Sequence, residues 1–179
     1  MIYTENMRLR AVERGDIESF YRWINDPDVN DGLAIYLPMS LSDEQAWFEN
    51  LAKREKAEKP LSIEIRESKD WRLIGNCAFF DIDWRVRCAE LGIMLGEKTI
   101  WNRGHGSTAV RLLCKHGFET LNLNRIFLHV HESNPRAIRT YEKCGFVHEG
   151  RLRQANFKHG HYEDMLLMGM LASEWQSKV

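Results

Sequence analysis

Trp101-Asn-Arg-Gly-His-Gly-Ser-Thr-Ala109 is the stretch from which the fold of this chain is deduced. It is followed, at three- and four-residue steps, by Val110, Leu113, Cys114, Gly117, Phe118 and Leu121. This spacing predicts an amphipathic helix. Gly104 and Gly106 stand just before it, where glycine lets a ligand approach the main chain closely. The free N–H groups and the positive end of the helix dipole favour a phosphate, although a tight turn alone explains both glycines equally well.

The segments on either side of this stretch indicate an alternating α/β unit. Glu90–Leu95 reads as a buried strand before the loop, and Arg125–Val130 reads as a second strand after the helix. A short helix follows, with Asn134 as its N-cap, Pro135 at its first position and Gly145 at its C-terminal left-handed position. The order is therefore strand, phosphate-type loop, helix, strand, short helix.

This region resembles the GNAT superfamily of acetyl-CoA-dependent N-acetyltransferases. The family pattern is Gln/Arg-x-x-Gly-x-Gly/Ala, followed by Asn-x-x-Ala-x-x-x-Tyr-x-x-x-Gly-Phe. The second half is matched in full by Asn134, Ala137, Tyr141, Gly145 and Phe146. The first half departs at Trp101, where Gln or Arg is usual. The segments Met7–Ala11 and Trp23–Pro27 are similar to the branch that acetylates ribosomal-protein N-termini (RimJ/RimL type) or polyamines.

The resemblance implies a binding site for acetyl-CoA, which is the acyl donor. Main-chain groups of Ile93, Met94 and Leu95 would bind the pantetheine arm like an added strand. Main-chain N–H groups would bind the pyrophosphate, and they belong to Asn102, Arg103, Gly104, His105, Gly106 and Ser107. Asn134 would hydrogen-bond the arm, and its capping role is compatible with that contact. The chemistry requires no metal.

Two side chains are candidates for catalysis. Tyr141 is the candidate general acid for the leaving thiolate, because a phenol titrates near about 10 and stays protonated at neutral pH. An ordinary core tyrosine is the alternative for this position. Glu90 is the candidate general base, acting directly or through a water, and a solvent-facing strand charge is its alternative. Acetyl transfer is expected by direct attack of the amine, without a covalent acyl-enzyme.

The whole pattern predicts a single N-acetyltransferase domain over residues 1–179. The element order β-α-α-β-β-β-α-β-α-β-β predicts a seven-stranded mixed α/β sheet with helices on both faces. The resemblance implies that this sheet splays open between Cys88–Leu95 and Arg125–Val130. Locally, Ser42 and Gln45 form a potential capping box. Residues 28–39 read as a loop, and residues 156–161 as a turn.

Composition excludes several classes of protein. The chain has 25 basic and 26 acidic residues, so it lacks the charge excess of a nucleic-acid binder. No apolar run is long enough to cross a membrane, and the N-terminus lacks the apolar core of a signal peptide. Four widely spaced cysteines without a Cys-x-x-Cys pair suit a reducing compartment. A cytoplasmic protein with no nucleic-acid or membrane partner is expected.

Alternatives stay open at this stage. His129 with His131 and His159 with His161 form H-x-H pairs that suit metal ligands, but spacing supplies no third ligand. Either histidine of the first pair could instead relay a proton.

Gly104–Ala109 also fits the dinucleotide fingerprint, although eight residues, Gly96 to Arg103, separate it from the preceding strand. A non-catalytic acyl-CoA sensor of the same fold is a further alternative.

The resemblance implies that the acceptor is a primary amine, either a small polyamine-like amine or a peptide or protein N-terminus. Residues 1–39 and 156–161 are expected to form the walls of its site. Asp26, Asp28 and Asp31 could attract a cation there, or could simply form turns. The oligomeric state is open, with a homodimer as one option.

Overall fold

The strands and helices follow the predicted order, with two short additions. The computed structural model describes residues 2–33 and 35–175. Its strands are β1 (Ile2–Tyr3), β2 (Met7–Ala11), β3 (Leu61–Glu67), β4 (Asp70–Asp83), β5 (Cys88–Leu95), β6 (Arg125–His131), β7 (Val147–Lys158) and β8 (His161–Leu171). Its helices are α1 (Ile17–Ile24), α2 (Pro27–Asn30), α3 (Leu41–Asn50), α4 (His105–Lys115) and α5 (Pro135–Cys144).

The eight strands of the described residues form one mixed sheet, in the order β1-β2-β3-β4-β5-β6-β8-β7. The predicted number of seven was wrong by one, because β1 has two residues and is too short to leave a periodic signal. β5 and β6 are parallel, and the other neighbouring pairs are antiparallel. The predicted mixed α/β class is confirmed. The doubly wound parallel sheet of a dinucleotide-binding protein is a different architecture.

The sheet opens in its middle, between β5 and β6. These strands pair only over Cys88–Glu90 and Arg125–Phe127. Beyond that point β5 stays paired with β4 as far as Leu95, whereas β6 stays paired with β8 as far as His131. The facing edges of β5 and β6 therefore separate, which is the opening that the family resemblance implied.

Helices cover both faces of the sheet. The larger buried cluster joins α4 and α5 to one face, and its members include Val110, Leu113, Tyr141, Leu91 and Leu128. The smaller cluster joins α1 and α2 to the other face, through Ile17, Phe20, Trp23, Val29 and Met94, with Trp47 and Phe48 of α3 packed against it. β5 contributes to both clusters, so the strand beside the gap is anchored from both sides.

Three local predictions need correction. The capping box of α3 is formed by Ser40 and Asp43, not by Ser42 and Gln45. The Ser40 hydroxyl accepts from the Asp43 N–H at 3.1 Å, and the Asp43 carboxylate accepts from the Ser40 N–H at 2.9 Å. Both spacings fit the motif, and the helix start at Leu41 decides between them.

The other two corrections concern loops. Residues 28–39 are not entirely loop, because Pro27 opens α2 and Asp26 caps it by accepting from the Asp28 N–H at 3.0 Å. Residues 156–161 are not entirely turn, because β7 runs to Lys158 and β8 begins at His161. Of the segments expected to line the acceptor site, Met1 and Ala34 lie outside the described residues.

Candidate active site

A cavity of about 360 Å³ lies where β5 and β6 separate. Its wall contains most of the predicted site residues, namely Ile93, Met94, Leu95, Asn102, Gly104, His105, Gly106, Ser107, Asn134 and Tyr141. Two predicted residues, Glu90 and Arg103, lie outside the wall. Val29, Gly32 and Leu33 also line the cavity, and sequence reasoning had assigned them only to a general loop.

The loop before α4 presents unpaired main-chain donors. Asn102 and Gly104 have left-handed backbones, with φ of 61° and 86°, and they turn the chain into the helix. Gly104 is the N-cap and supplies no side-chain cap. The first helical N–H bond runs from Thr108 to the Gly104 carbonyl at 3.1 Å. The N–H groups of the turn before Thr108 therefore have no acceptor in the helix, and they can bind an anion.

Gly106 keeps this part of the cavity open. A Cβ atom at this position would lie 3.4 Å from Leu95 Cδ1 and 3.6 Å from Thr140 Cγ2, which are ordinary contact distances. Packing within the protein therefore does not require glycine here. A larger side chain would instead occupy the space next to the free N–H groups of α4.

Cationic side chains of α5 line the same end of the cavity. Arg136, Arg139 and Lys143 lie at positions i, i+3 and i+7 of the helix, on one side. The Arg136 guanidinium stacks 3.7 Å from the ring centre of Trp101. Trp101 in turn donates its indole N–H to the Leu95 carbonyl at 2.9 Å. Trp101, the departure from the family motif, thus positions a cation at the cavity wall, and the basic spacing on α5 is the sequence signal for it.

Asn134 has a capping role and a free amide group. Its Oδ1 accepts from the Ala137 N–H at 3.0 Å, which caps α5. Its Nδ2 lies against Gly32, where a Cβ atom would approach it to 2.9 Å. The residue lines the cavity, so the amide can donate to a ligand while the carbonyl oxygen caps the helix.

Tyr141 projects from α5 into the cavity wall on the α4 side of the sheet. Only 7% of the residue is exposed, and its ring packs against Phe146 with centroids 5.9 Å apart. Burial, together with the nearby thiols of Cys144 and Cys114, raises the pKa of Tyr141. The phenol therefore stays protonated near neutral pH and can serve as a proton donor.

Glu90 does not line the cavity itself, but it contacts a histidine that does. Its Oε1 lies 2.7 Å from Nδ1 of His129, and His129 lines the cavity. Because side chains alternate along a strand, Glu90 shares the face of Met94, and His129 lies on the face opposite Leu128. The Glu90–His129 pair therefore lies on the α1 side of the gap, whereas Tyr141 lies on the α4 side.

The geometry and the comparisons with known proteins agree on the family. The model of the acetyltransferase (GNAT) domain matches residues 6–147. This chain belongs to the GNAT acetyltransferase family. It is therefore an acetyl-CoA-dependent N-acetyltransferase, as predicted, with acetyl-CoA as the donor.

Similar proteins extend the match over nearly the whole chain. The spermidine N(1)-acetyltransferase of Vibrio cholerae is 31% identical over 175 residues, which cover 96% of both chains. The spermidine N(1)-acetyltransferase of Escherichia coli is 26% identical, over 91% of this chain and 84% of that one. A crystal structure of the V. cholerae spermidine N-acetyltransferase with CoA and spermine superposes with a TM-score of 0.85, at 29% identity, over 96% of this chain and 98% of that one. The expected resemblance to the branch that includes polyamine acetyltransferases is confirmed.

Three of the four histidines in the two pairs of this GNAT protein, His129, His131 and His159, contact carboxylates. His131 is buried, and its Nδ1 lies 2.8 Å from Glu163. Burial alone would raise the pKa of Glu163, but hydrogen bonds from Ser133, Asn156 and His131 outweigh it and lower the pKa to about 2. His159 lies in the β7–β8 turn, where it contacts a carboxylate of the α2 region. His161 is the first residue of β8, and its Nδ1 lies 3.4 Å from the His159 carbonyl. Within residues 2–33 and 35–175 no three metal-binding side chains converge.

The aspartates near α2 are already bonded to side chains of the protein. Nζ of Lys98 lies 2.8 Å from both Asp26 and Asp28. Nε2 of His159 lies 2.8 Å from Asp31. These carboxylates therefore connect α2 to the loop after β5 and to the β7–β8 turn.

No helix in the described part of the chain has both the length and the apolar character to span a bilayer.

Proposed function

We propose that this acetyltransferase transfers acetyl from acetyl-CoA to a primary amine by direct attack, with Tyr141 as the general acid. The observation that carries the proposal is the placement of three features around one gap. The uncapped start of α4 lies at one end of it. Tyr141 and the Glu90–His129 pair flank it from opposite faces of the sheet. The names of the similar proteins support a small amine as the acceptor.

The cofactor is proposed to lie along the gap. Its pyrophosphate is bound by the N–H groups of residues 102–107, and the cations of α5 offset its charge. Its pantetheine arm runs along the free edge of β5, next to Ile93 and Met94. The Leu95 carbonyl already accepts a hydrogen bond from the Trp101 indole N–H, so the part of this edge that is free to pair with the arm ends at Leu95. The Asn134 amide group donates to the arm.

Proton transfer on the amine side is assigned to the Glu90–His129 pair. A carboxylate only accepts hydrogen bonds, so Nδ1 of His129 donates to Glu90 and Nε2 is left as an acceptor. Nε2 takes a proton from the attacking amine, directly or through a water, and Glu90 stabilises the resulting imidazolium. Sequence reasoning named Glu90 as the base. The geometry supports a different division, with His129 as the base and Glu90 as the residue that orients it.

The transfer step then balances without a cofactor beyond acetyl-CoA. The amine nitrogen bonds to the thioester carbon, and the carbonyl oxygen becomes an oxyanion that main-chain N–H groups of β5 can stabilise. The carbon–sulfur bond breaks as the intermediate collapses. The thiolate takes the proton of Tyr141, and the products are the acetylated amine and CoA. The imidazolium of His129 then loses its proton to solvent and the Tyr141 phenolate regains one from solvent, which restores the enzyme.

The cysteines support direct attack rather than an acyl-enzyme. Burial raises the pKa of the Cys77 thiol to about 12, and it raises the pKa of Cys114 well above its ordinary value. Burial also raises the pKa of Cys144 and of Cys88. A thiol must ionise to attack a thioester, so these four cysteines are poor nucleophiles.

A CoA-release assay over polyamines, other small amines, amino acids and N-terminal peptides tests the proposal. Turnover should require both substrates in a ternary complex, which gives intersecting initial-velocity lines. Parallel lines would indicate a covalent intermediate and contradict direct attack. CoA binding without turnover on any amine would support the acyl-CoA sensor instead. The homodimer and the cytoplasmic location stay predictions, which sedimentation velocity and cell fractionation measure.

A further inference from the structure

We infer that the acceptor of this enzyme is a primary amine whose remaining part is apolar, rather than a polycationic amine. The inference rests on the proposed function, because it concerns the acceptor end of the same cavity. It comes from the side chains that form the α1 side of that cavity and from the charges that surround them.

The α1 side of the cavity is apolar. Val29, Leu33 and Met94 line the same cavity as His129. Val29 and Met94 are buried and belong to the cluster that includes Phe20 and Trp23, and Leu33 packs against that cluster. An amine whose nitrogen lies at His129 would therefore place its neighbouring carbon atoms against hydrocarbon, which favours an apolar chain or ring.

The acidic groups near this wall are paired within the protein. Asp26 and Asp28 share Lys98, and Asp31 binds His159. None of these three carboxylates lines the cavity, and each already has a partner within the protein. A second ammonium group on the acceptor would lose its hydration against the apolar wall and would gain no unpaired carboxylate from this segment.

A lysine lies directly behind the apolar wall. Nζ of Lys158 lies 2.6 Å from the Asn30 carbonyl and 3.2 Å from the Leu33 carbonyl. These bonds connect the end of β7 to the last residue of α2 and to Leu33 beyond it. Like charges repel, so this ammonium group further disfavours a second ammonium at Leu33.

A matched pair of substrates tests the inference. Pentylamine and 1,4-diaminobutane differ only at the far end, where a methyl group replaces an ammonium group. We expect kcat/KM for pentylamine to exceed that for 1,4-diaminobutane by at least about tenfold, because the second charge must be desolvated. Spermidine, measured in parallel, should resemble the diamine.

A carboxylate introduced into the wall should reverse this preference. Leu33→Glu should lower kcat/KM for pentylamine and raise it for 1,4-diaminobutane, so that their ratio falls by at least about tenfold. Leu37→Glu makes the same change at a side chain that is 76% exposed and outside the cavity wall, and it should leave the ratio unchanged. The acetyl-CoA Kd of each variant shows whether the fold is retained.

The outcomes separate this inference from the proposed function. Equal use of both amines by the wild-type enzyme, or a preference for the diamine or spermidine, would overturn the apolar acceptor and leave the acetyltransferase mechanism intact. Activity on peptide N-termini alone would do the same. A protein that binds acetyl-CoA but acetylates none of these acceptors would overturn both.

Discussion

Tyr141→Phe is the variant that most directly tests the mechanism, because it removes one hydroxyl and leaves the ring. The ring is buried and packs against Phe146, so phenylalanine fills the same space. The free energy of unfolding should change by less than about 1.5 kcal/mol, as for other volume-conserving core substitutions. The acetyl-CoA Kd should also change little, because the proposed phosphate and pantetheine contacts lie on α4, β5 and Asn134.

The rate should fall sharply. Loss of a positioned general acid costs about 10² to 10⁴ in kcat. Burial raises the pKa of Tyr141 above its ordinary value, so the phenol is protonated throughout the neutral range. The loss in kcat should therefore be the same across about pH 6 to 9. A tyrosine that titrated in this range would give a loss that shrinks as the pH rises.

Steady-state CoA release at saturating substrate measures kcat, and calorimetric titration measures the acetyl-CoA Kd. Tyr3→Phe is the matched control, because Tyr3 is 71% exposed and far from the gap in the sheet order. A Tyr141→Phe enzyme with wild-type kcat would remove Tyr141 from the mechanism. A large increase in the acetyl-CoA Kd would instead assign the hydroxyl to binding.

Three further predictions concern the cofactor loop, the proton acceptor and acid stability. Gly106→Trp should abolish acetyl-CoA binding by filling the space beside the α4 N–H groups, whereas Gly106→Ala should fold normally, since its Cβ makes only ordinary contacts; normal affinity of the tryptophan variant would refute the loop assignment. Glu90→Gln and His129→Gln should each lower kcat/KM at least about tenfold. If the pair acts as a unit, kcat/KM of the double variant should be only slightly below that of the less active single variant. Glu163, with its pKa lowered to about 2, should stabilise the fold fully above about pH 4.5 and lose this contribution as the pH falls toward 2. Urea unfolding should therefore show Glu163→Gln less stable by about 1 to 3 kcal/mol at pH 6, with the gap closing on acidification; a gap independent of pH would contradict this origin.

Local features of the site could be predicted from the sequence. The glycine loop, the start of α4, the Asn134 cap and the left-handed Gly145 all depend on residues within a few positions of one another. Backbone preferences and helix capping act over this range, so the motif was sufficient to place them. The same short range explains the wrong capping box of α3, because Ser40 with Asp43 and Ser42 with Gln45 satisfy similar local rules.

The pairings that complete the site were decided only by the tertiary structure. Glu90 meets His129 across 39 residues, and Lys98 meets Asp26 across 72. Arg136 of α5 stacks on Trp101 of the loop before α4. Each contact depends on which strands are neighbours, on their register and on where β5 leaves β6, and these result from the packing of helices on both faces of the sheet. The sequence by itself determined the family and the position of the glycine loop before α4; the folded sheet decided which acid meets which base, because distant side chains interact only after the core has brought them together.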